Sequence, residues 1–300
     1  MRGLFINSKQ ANCSIHESGI MCYNALKKST LYTLDYSEAS ISDSYNFYIF
    51  NYHYIVLNDI NSFLLSQLPG LKIAIVTEVD EYNPLIYTPD IFDLYVVIDP
   101  TITESDRIYS FPRPLEEFNN NNIVKSDIII GSFGFLTDGK RFDWIVDAVE
   151  NEFDNAKIRF NFPKGTYVQS ATYNKNYEAI LNRINSVKNG ITVEISTDYM
   201  SKPDLMKWCS DNTLNCFFYD RQIPGLSAVT DQAISSGSPL SVNNNSTFRH
   251  ILKYIKPYPE WSLAYSIENS KDIIQNIKMD WSIESFYKKF ELIISQKIII

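Results

Sequence analysis

Short apolar runs alternate with longer amphipathic stretches through the first third of the chain. Strand-like segments fall at Leu4–Asn7, Leu31–Leu34, Tyr45–Tyr52, Leu71–Val76 and Leu94–Ile98, each about the length of one strand crossing a sheet. Between them, Ile15–Lys27 and Asn58–Leu68 have helical patterns, with Ser14 placed to cap the first. Ile108–Ser110 adds a short strand before Phe111-Pro112-Arg113-Pro114. Strands alternating with helices at this pitch predict a parallel sheet covered on both faces.

The periodicity stops at Leu115–Ser126, where four consecutive asparagines and no apolar period predict a linker between domains. It then restarts. Strands are expected at Asp127–Ile130, Ala156–Phe162, Ile191–Ser196, Leu214–Phe218 and Pro239–Val242. Helices are expected at Lys140–Phe153, Tyr173–Val187, Pro203–Ser210 and Ser227–Ser236, with short helices after them ending in Ile283–Ser295. Phe142, Ile145, Val146, Val149 and Phe153 share one face of their helix and are expected in the core. The expected fold is α/β, with Rossmann-like domains at 1–114 and 127–280 joined by the 115–126 linker and facing a central cleft.

Composition narrows the function classes. Three hundred residues suit two cores, and 45% apolar against 21% charged residues exclude global disorder. A net charge of −8 argues against a broad basic surface, so nucleic acid is not an expected partner. Cys13, Cys22, Cys209 and Cys216 have no C-x-x-C spacing, and only His16, His53 and His250 accompany them. That set argues against zinc and against a disulfide framework, and it suits a reducing cytoplasm. No apolar signal core opens the sequence and no run of eighteen apolar residues occurs. A soluble cytoplasmic protein is expected, with peripheral membrane contact still compatible; the oligomeric state is not encoded in these patterns.

Three stretches carry candidate chemistry. In Gly131-Ser132-Phe133-Gly134, the glycines allow backbone to approach a ligand, and Lys140 and Arg141 add cations at the next helix start. A plain tight turn with surface basic residues reads the same. Gly225, Leu226 and Ser227 open a helix whose free amides and dipole favour phosphate, with Ser227 as cap. Just upstream, Tyr219, Asp220 and Arg221 follow a strand, the edge where open α/β sheets bind ligands. Ordinary capping and turn formation also account for this stretch. In Asn245–Leu252, Arg249 offers a planar fork for phosphate or carboxylate, whereas His250 suits packing.

Gly131-Ser132-Phe133-Gly134 through Lys140-Arg141-Phe142, together with Gly225 through Leu240, resembles the GT-B nucleotide-sugar glycosyltransferases. The similarity is to the retaining group 4-like enzymes of bacterial and viral polysaccharide synthesis. It implies that the second domain binds a nucleoside-diphosphate sugar, that the glycine turn and Lys140 meet the diphosphate, and that a helix in 281–300 crosses back to the first domain. The family's Glu-seven residues-Glu motif falls on Pro224 and Gln232, and its arginine after the glycine turn falls near Ser132. Gln232 can still bond a ribose hydroxyl, and Arg221 or Arg249 can supply the missing charge. These departures bear on sugar recognition and stereochemistry more than on fold.

The first domain would hold the acceptor through Asn7–Gly19, the loop with His53, and Glu78–Asp80. His53 matches the family's acceptor-side histidine segment; Glu78, His16 and Glu17 are the other candidates for an acid–base or orienting group. No strict D-x-D occurs, so no metal and no cofactor are expected; the near miss Glu152–Asp154 reads as a solvated helix end. The expected activity is metal-independent sugar transfer to a hydroxyl of a glycan or glycolipid. A catalytically silent nucleotide- or glycan-binding protein is the alternative, and a sugar-nucleotide epimerase the third.

Overall fold

The computed structural model describes residues 1–9, 14–38, 41, 44–55, 60, 62–119, 127–165 and 168–298. Most of the asparagine-rich linker, residues 120–126, lies outside the described residues, as do residues 10–13 of the first loop and part of the expected 58–68 helix. The backbone divides into two units. One comprises Met1–Glu116, Pro224–Leu226 and Asp280–Ile300; the other comprises Glu117–Ile223 and Ser227–Met279.

The N-terminal unit runs β1 (Arg2–Ile6), α1 (Ser14–Leu26), β2 (Thr33–Ser37), β3 (Phe47–Tyr52), α2 (Ser62–Ser66), β4 (Leu71–Val76), β5 (Leu94–Val97) and β6 (Ile108–Ser110). All six strands are parallel, in the order β2-β1-β3-β4-β5-β6. Every residue of β3 is buried, which explains its near-continuous apolar run. Phe47 and Ile49 enter one core with Phe5, Ile73 and Ile75; Tyr48, Phe50 and Tyr52 enter the core on the opposite face.

The C-terminal unit runs β7 (Ile129–Phe133), α3 (Phe142–Glu152), β8 (Ala156–Asn161), α4 (Ser170–Ile184), β9 (Ile191–Ser196), α5 (Lys202–Ser210), β10 (Leu214–Phe217), α6 (Val229–Ser236) and β11 (Leu240–Val242). A 3-10 turn at Ser246–Phe248 leads into α7 (Arg249–Leu252), α8 (Leu263–Asn269) and α9 (Lys271–Asp280). Its five parallel strands lie in the order β11-β10-β7-β8-β9, the Rossmann arrangement. Phe142, Ile145, Val146, Val149 and Phe153 all sit in this unit's core with Phe160, Phe162 and Leu214.

The last helix, α10 (Ile283–Ile298), contributes Phe286, Phe290, Ile293 and Ile294 to the N-terminal core beside Phe5, Cys22, Phe47 and Phe111. Phe111 and Phe286 meet edge-on, with centroids 5.0 Å apart. Burying each such side chain stabilises by roughly 1.5–3 kcal/mol. Among the described residues, no helix is long and apolar enough to cross a membrane.

Candidate functional site

Open α/β sheets expose a crevice beyond the carboxyl ends of their strands, where the strand order reverses. In the C-terminal unit that point lies between β7 and β10. Gly134 follows β7 with φ at 139°, a conformation that side chains disfavour, and its N–H donates to the Asn161 carbonyl at 3.0 Å. The chain then turns through Gly139, at φ 78°, and returns beside the segment that leaves β10. Lys140 bridges antiparallel to Tyr219, Asp220 N–H donates to Gly139 O at 2.7 Å, and Arg141 N–H donates to Phe218 O at 2.9 Å.

This backbone staple brings two cations to one ring. Lys140 Nζ lies 5.4 Å from the centroid of the buried Tyr219 ring, and the Arg221 guanidinium lies 4.7 Å from it. The Lys140 ammonium occupies the space that a side chain on Gly134 would need. Among the described residues neither cation has a carboxylate partner, and Arg221 Nε is buried without a hydrogen-bond partner. Asp220 is turned instead to Arg141, which also pairs with Asp143 at 2.5 Å. Burial, and secondarily the charge of Arg221, pulls Lys140 down to about 7 from its usual 10.5. Two basic side chains without a carboxylate partner make a site that an anion stabilises.

The expected helix start is rearranged. The helix α6 begins at Val229, and Ser227 does not cap it. Ser227 N–H donates to Thr247 O at 3.0 Å, while its hydroxyl donates to the Tyr219 oxygen at 3.0 Å. Thr230 Oγ1 donates to Ser227 O at 2.9 Å and lies 3.0 Å from His250 Nε2. First-turn amides therefore belong to Val229 and Thr230, not to Gly225 and Ser227. A Val229 methyl lies 3.5 Å from where a Gly134 side chain would begin, so this turn borders the same site.

Gly225 and Leu226 do not open α6, and Pro224–Leu226 groups with the N-terminal unit. Gly225 N–H donates to Val79 O at 2.9 Å, and its φ of 84° requires glycine. Gly131, Ser132 and Phe133 are likewise within β7 and not in the turn. Gly131 makes room for the Asn212 amide, Ser132 is buried, and the Phe133 ring lies edge-on to Phe217 at 5.3 Å. Gln232 is half-buried on α6. Arg249 opens α7 with Nη1 bonded to Ser246 O at 2.9 Å. Gly139 and Thr230 were not among the expected site residues; Asp138-Gly139 is a turn dipeptide and was the legible signal for the first. Glu152 is no solvated helix end, since its carboxylate accepts from Leu263 and Ala264 N–H, both at 3.0 Å, at the start of α8.

In the N-terminal unit the order reverses between β1 and β3. Asn51, on β3, donates to Asn7 Oδ1 at 2.8 Å and to Ile15 O at 2.9 Å; Asn7 donates to His16 O at 3.0 Å. Gly19 lets α1 lie directly over both amides. His16 Nδ1 is 2.7 Å from Ser8 O, so that nitrogen carries the proton, and Nε2 faces Glu38 at 3.9 Å. Glu17 is half-buried in the first turn of α1.

His53 has the opposite tautomer. Ile55 N–H donates to its Nδ1 at 3.2 Å, which leaves the neutral ring's proton on Nε2, 3.9 Å from Glu78 Oε1. That separation is longer than a hydrogen bond, and a hydroxyl oxygen set to one side of the pair can reach both atoms at about 2.8 Å. In this arrangement the Glu78 carboxylate can accept a hydrogen bond and His53 Nε2–H can donate one. Asp80, two residues after Glu78, shapes a turn, accepting from Tyr82 and Asn83 N–H at 2.9 Å each.

No protein family description matches the sequence, and no curated protein matches it either. Solved structures do resemble the chain. HepE of Anabaena in complex with UDP-glucose is 10% identical, with a TM-score of 0.63 over 99% of this chain and 100% of that one. A trehalose-6-phosphate protein of E. coli bound with UDP-2-fluoro glucose is 11% identical, with a TM-score of 0.62 over 99% of both chains. An alpha-glucosyltransferase in complex with UDP and a 13-mer DNA is 11% identical, with a TM-score of 0.58 over 100% and 99%. Identities this low speak to architecture and not to activity. With two all-parallel sheets in Rossmann-like orders and similarity along nearly its whole length, the chain has the GT-B fold.

Proposed function

We propose that this chain is a glycosyltransferase that takes its sugar from a nucleoside diphosphate and passes it to a hydroxyl of a glycan or glycolipid. The observation that carries the reading is the pair Lys140 and Arg221, two cations without a carboxylate partner around Tyr219 at the switch point of a Rossmann sheet. A diphosphate bound there takes charge-assisted bonds from both cations and from the first-turn amides of α6. Those groups can balance its charge without a divalent ion. The solved structures of like fold, with UDP or a UDP-sugar bound in them, support a uridine nucleotide as the first donor to try.

Acceptor activation falls to the N-terminal unit. Glu78 takes the hydroxyl proton while His53 Nε2–H holds the oxygen. The test is titration calorimetry with UDP-glucose, UDP and GDP, followed by donor turnover with a panel of acceptors. The reading predicts nucleotide binding that Arg221→Ala weakens about tenfold, the usual scale for one charge-assisted contact. Absence of binding by any nucleotide or nucleotide sugar sinks it. Nucleotide binding with no turnover for any pair would favour the catalytically silent alternative, which Pro224 and Gln232 at the family's glutamate positions motivate.

A further inference from the structure

His53 and Glu78 are held in place by unequal means. His53 is buried, its Nδ1 accepts from Ile55 N–H, and its ring stacks on Tyr54 with centroids 4.8 Å apart. Tyr54 stacks in turn on Tyr87 at 5.1 Å, so the imidazole ends a pile of three rings. Packing and a hydrogen bond together lock such a ring in one orientation. The Glu78 side chain is 37% exposed, and among the described residues its carboxylate accepts no hydrogen bond; His53 Nε2 lies 3.9 Å away. What fixes this carboxylate is therefore packing.

The packing comes from Gly225. Pro224–Leu226 belongs to the N-terminal unit, although Ile223 and Ser227 on either side of it belong to the other. Gly225 N–H donates to Val79 O at 2.9 Å, which lays this short strap along the chain leaving β4. The place of a Gly225 β-carbon is 3.3 Å from Glu78 Oε2 and 3.3 Å from Thr77 O. A methyl there would crowd both oxygens, and one of them would have to give by a few tenths of an ångström. Thr77 O is backbone just beyond β4 and yields only if the strand end moves. The Glu78 carboxylate swings on rotatable bonds with no hydrogen bond to restrain it. The carboxylate is the group that moves.

We propose that Gly225 is a positioning residue for Glu78: with no β-carbon it leaves the carboxylate room to face His53, and any side chain there pushes the carboxylate out of line. Misplacing a reacting group by about 1 Å costs on the order of 100-fold in rate, so a shift of a few tenths should cost about tenfold. The proposal rests on the glycosyltransferase reading for what the carboxylate does, and on these contacts alone for where it stands.

The full-length protein has three histidines, His16, His53 and His250, so labelling histidine rings for NMR gives three ring signals, and His53→Asn identifies one of them. Gly225→Ala is expected to shift the His53 signal in the ligand-free protein, to leave that of His16 in place, and to shift His53 much less when Glu78→Gln is also present. Turnover of UDP-glucose should fall about tenfold while UDP affinity stays within about twofold. In the Glu78→Gln background the same change should cost less than about twofold more, because residues that act through one another are not additive; a glycine needed only for folding would lower turnover alike in both backgrounds. The φ of 84° strains Gly225→Ala and should lower its Tm by a few degrees. Gly225→Asn, the side chain least averse to that φ, repeats the test with the same β-carbon and less strain. An unmoved His53 signal in a folded variant, or an additive loss with Glu78→Gln, overturns the proposal. If the unaltered protein turns over no nucleotide sugar, the transferase reading falls, and the His53 signal alone decides whether Gly225 sets the carboxylate.

Discussion

Lys140 should make donor affinity fall with pH in a way that can be calculated. In the free protein its pKa is held near 7 by burial and by Arg221. A bound diphosphate supplies the missing counter-charge, which returns the ammonium towards its ordinary range. Above pH 7, binding must then be accompanied by proton uptake. With a free-state pKa of about 7 and the bound ammonium back in the ordinary lysine range, affinity drops about 30-fold between pH 6 and pH 8.5. UDP-glucose is the ligand to use, because its two phosphates do not titrate in that range.

Calorimetry in two buffers of different ionisation enthalpy counts the proton directly, approaching one per site at pH 8.5. The groups around Lys140 are Arg221 and Tyr219 from the segment after β10, Gly134 after β7 and Val229 from α6. Tyr219 is pushed up by burial and stays neutral throughout. Lys140→Met isolates its contribution: it should bind weakly at every pH and show no slope. A flat profile in the unaltered protein, or an unchanged slope in Lys140→Met, would refute the reasoning.

Other outcomes follow from the same structure. Lys140 binds fewer protons folded than unfolded between about 7 and 10.5, so it adds stability as pH rises through that window and its burial costs most at or below pH 7; Lys140→Met should therefore raise the ligand-free Tm by a few degrees at pH 6.5, as functional sites often trade stability. Glu78→Gln should lower turnover at least about 100-fold while UDP affinity stays put, and loss of UDP binding would contradict the assignment of Glu78 to the acceptor side. Gly131→Ala drives a methyl into the Asn212 amide, so urea unfolding should show a loss of about 1–3 kcal/mol from overpacking. Glu152→Ala removes two bonds to the first turn of α8 and should cost about 1 kcal/mol, with nucleotide affinity unchanged.

Legibility in the sequence followed locality. Alternating apolar runs located most strands and the buried face of α3, because period and burial are properties of neighbouring residues. Lys140 and Arg221 were singled out since each follows a strand of the same sheet. What local pattern misled about was the backbone. Gly131 looked like a turn glycine, yet it is a strand residue whose purpose lies across the fold at Asn212. Ser227 had the chemistry of a cap, but a tertiary hydrogen bond to Thr247 claims its N–H and the chain needs one more residue before α6. Gly225 pairs with Val79, a partner 146 positions away by number, which no window on the sequence contains. The stacking of Tyr54 on Tyr87, with centroids 5.1 Å apart, is hidden for the same reason, since two tyrosines on separate loops carry no sign that their rings meet.

The membership of α10 in the N-terminal unit has a consequence for how the molecule is made. Phe286, Phe290, Ile293 and Ile294 fill space against Phe5, Cys22 and Phe47, which leave the ribosome more than two hundred residues earlier. The first unit to be synthesised is therefore the last to close its core. Its sheet must wait, partly uncovered, while the whole of the second unit is translated and free to fold. Cutting the gene after residue 116 would strip α10 from the N-terminal piece, whereas the other piece would keep all of Glu117–Ile223 and Ser227–Met279, because only the N-terminal unit is assembled from chain lying on both sides of the other.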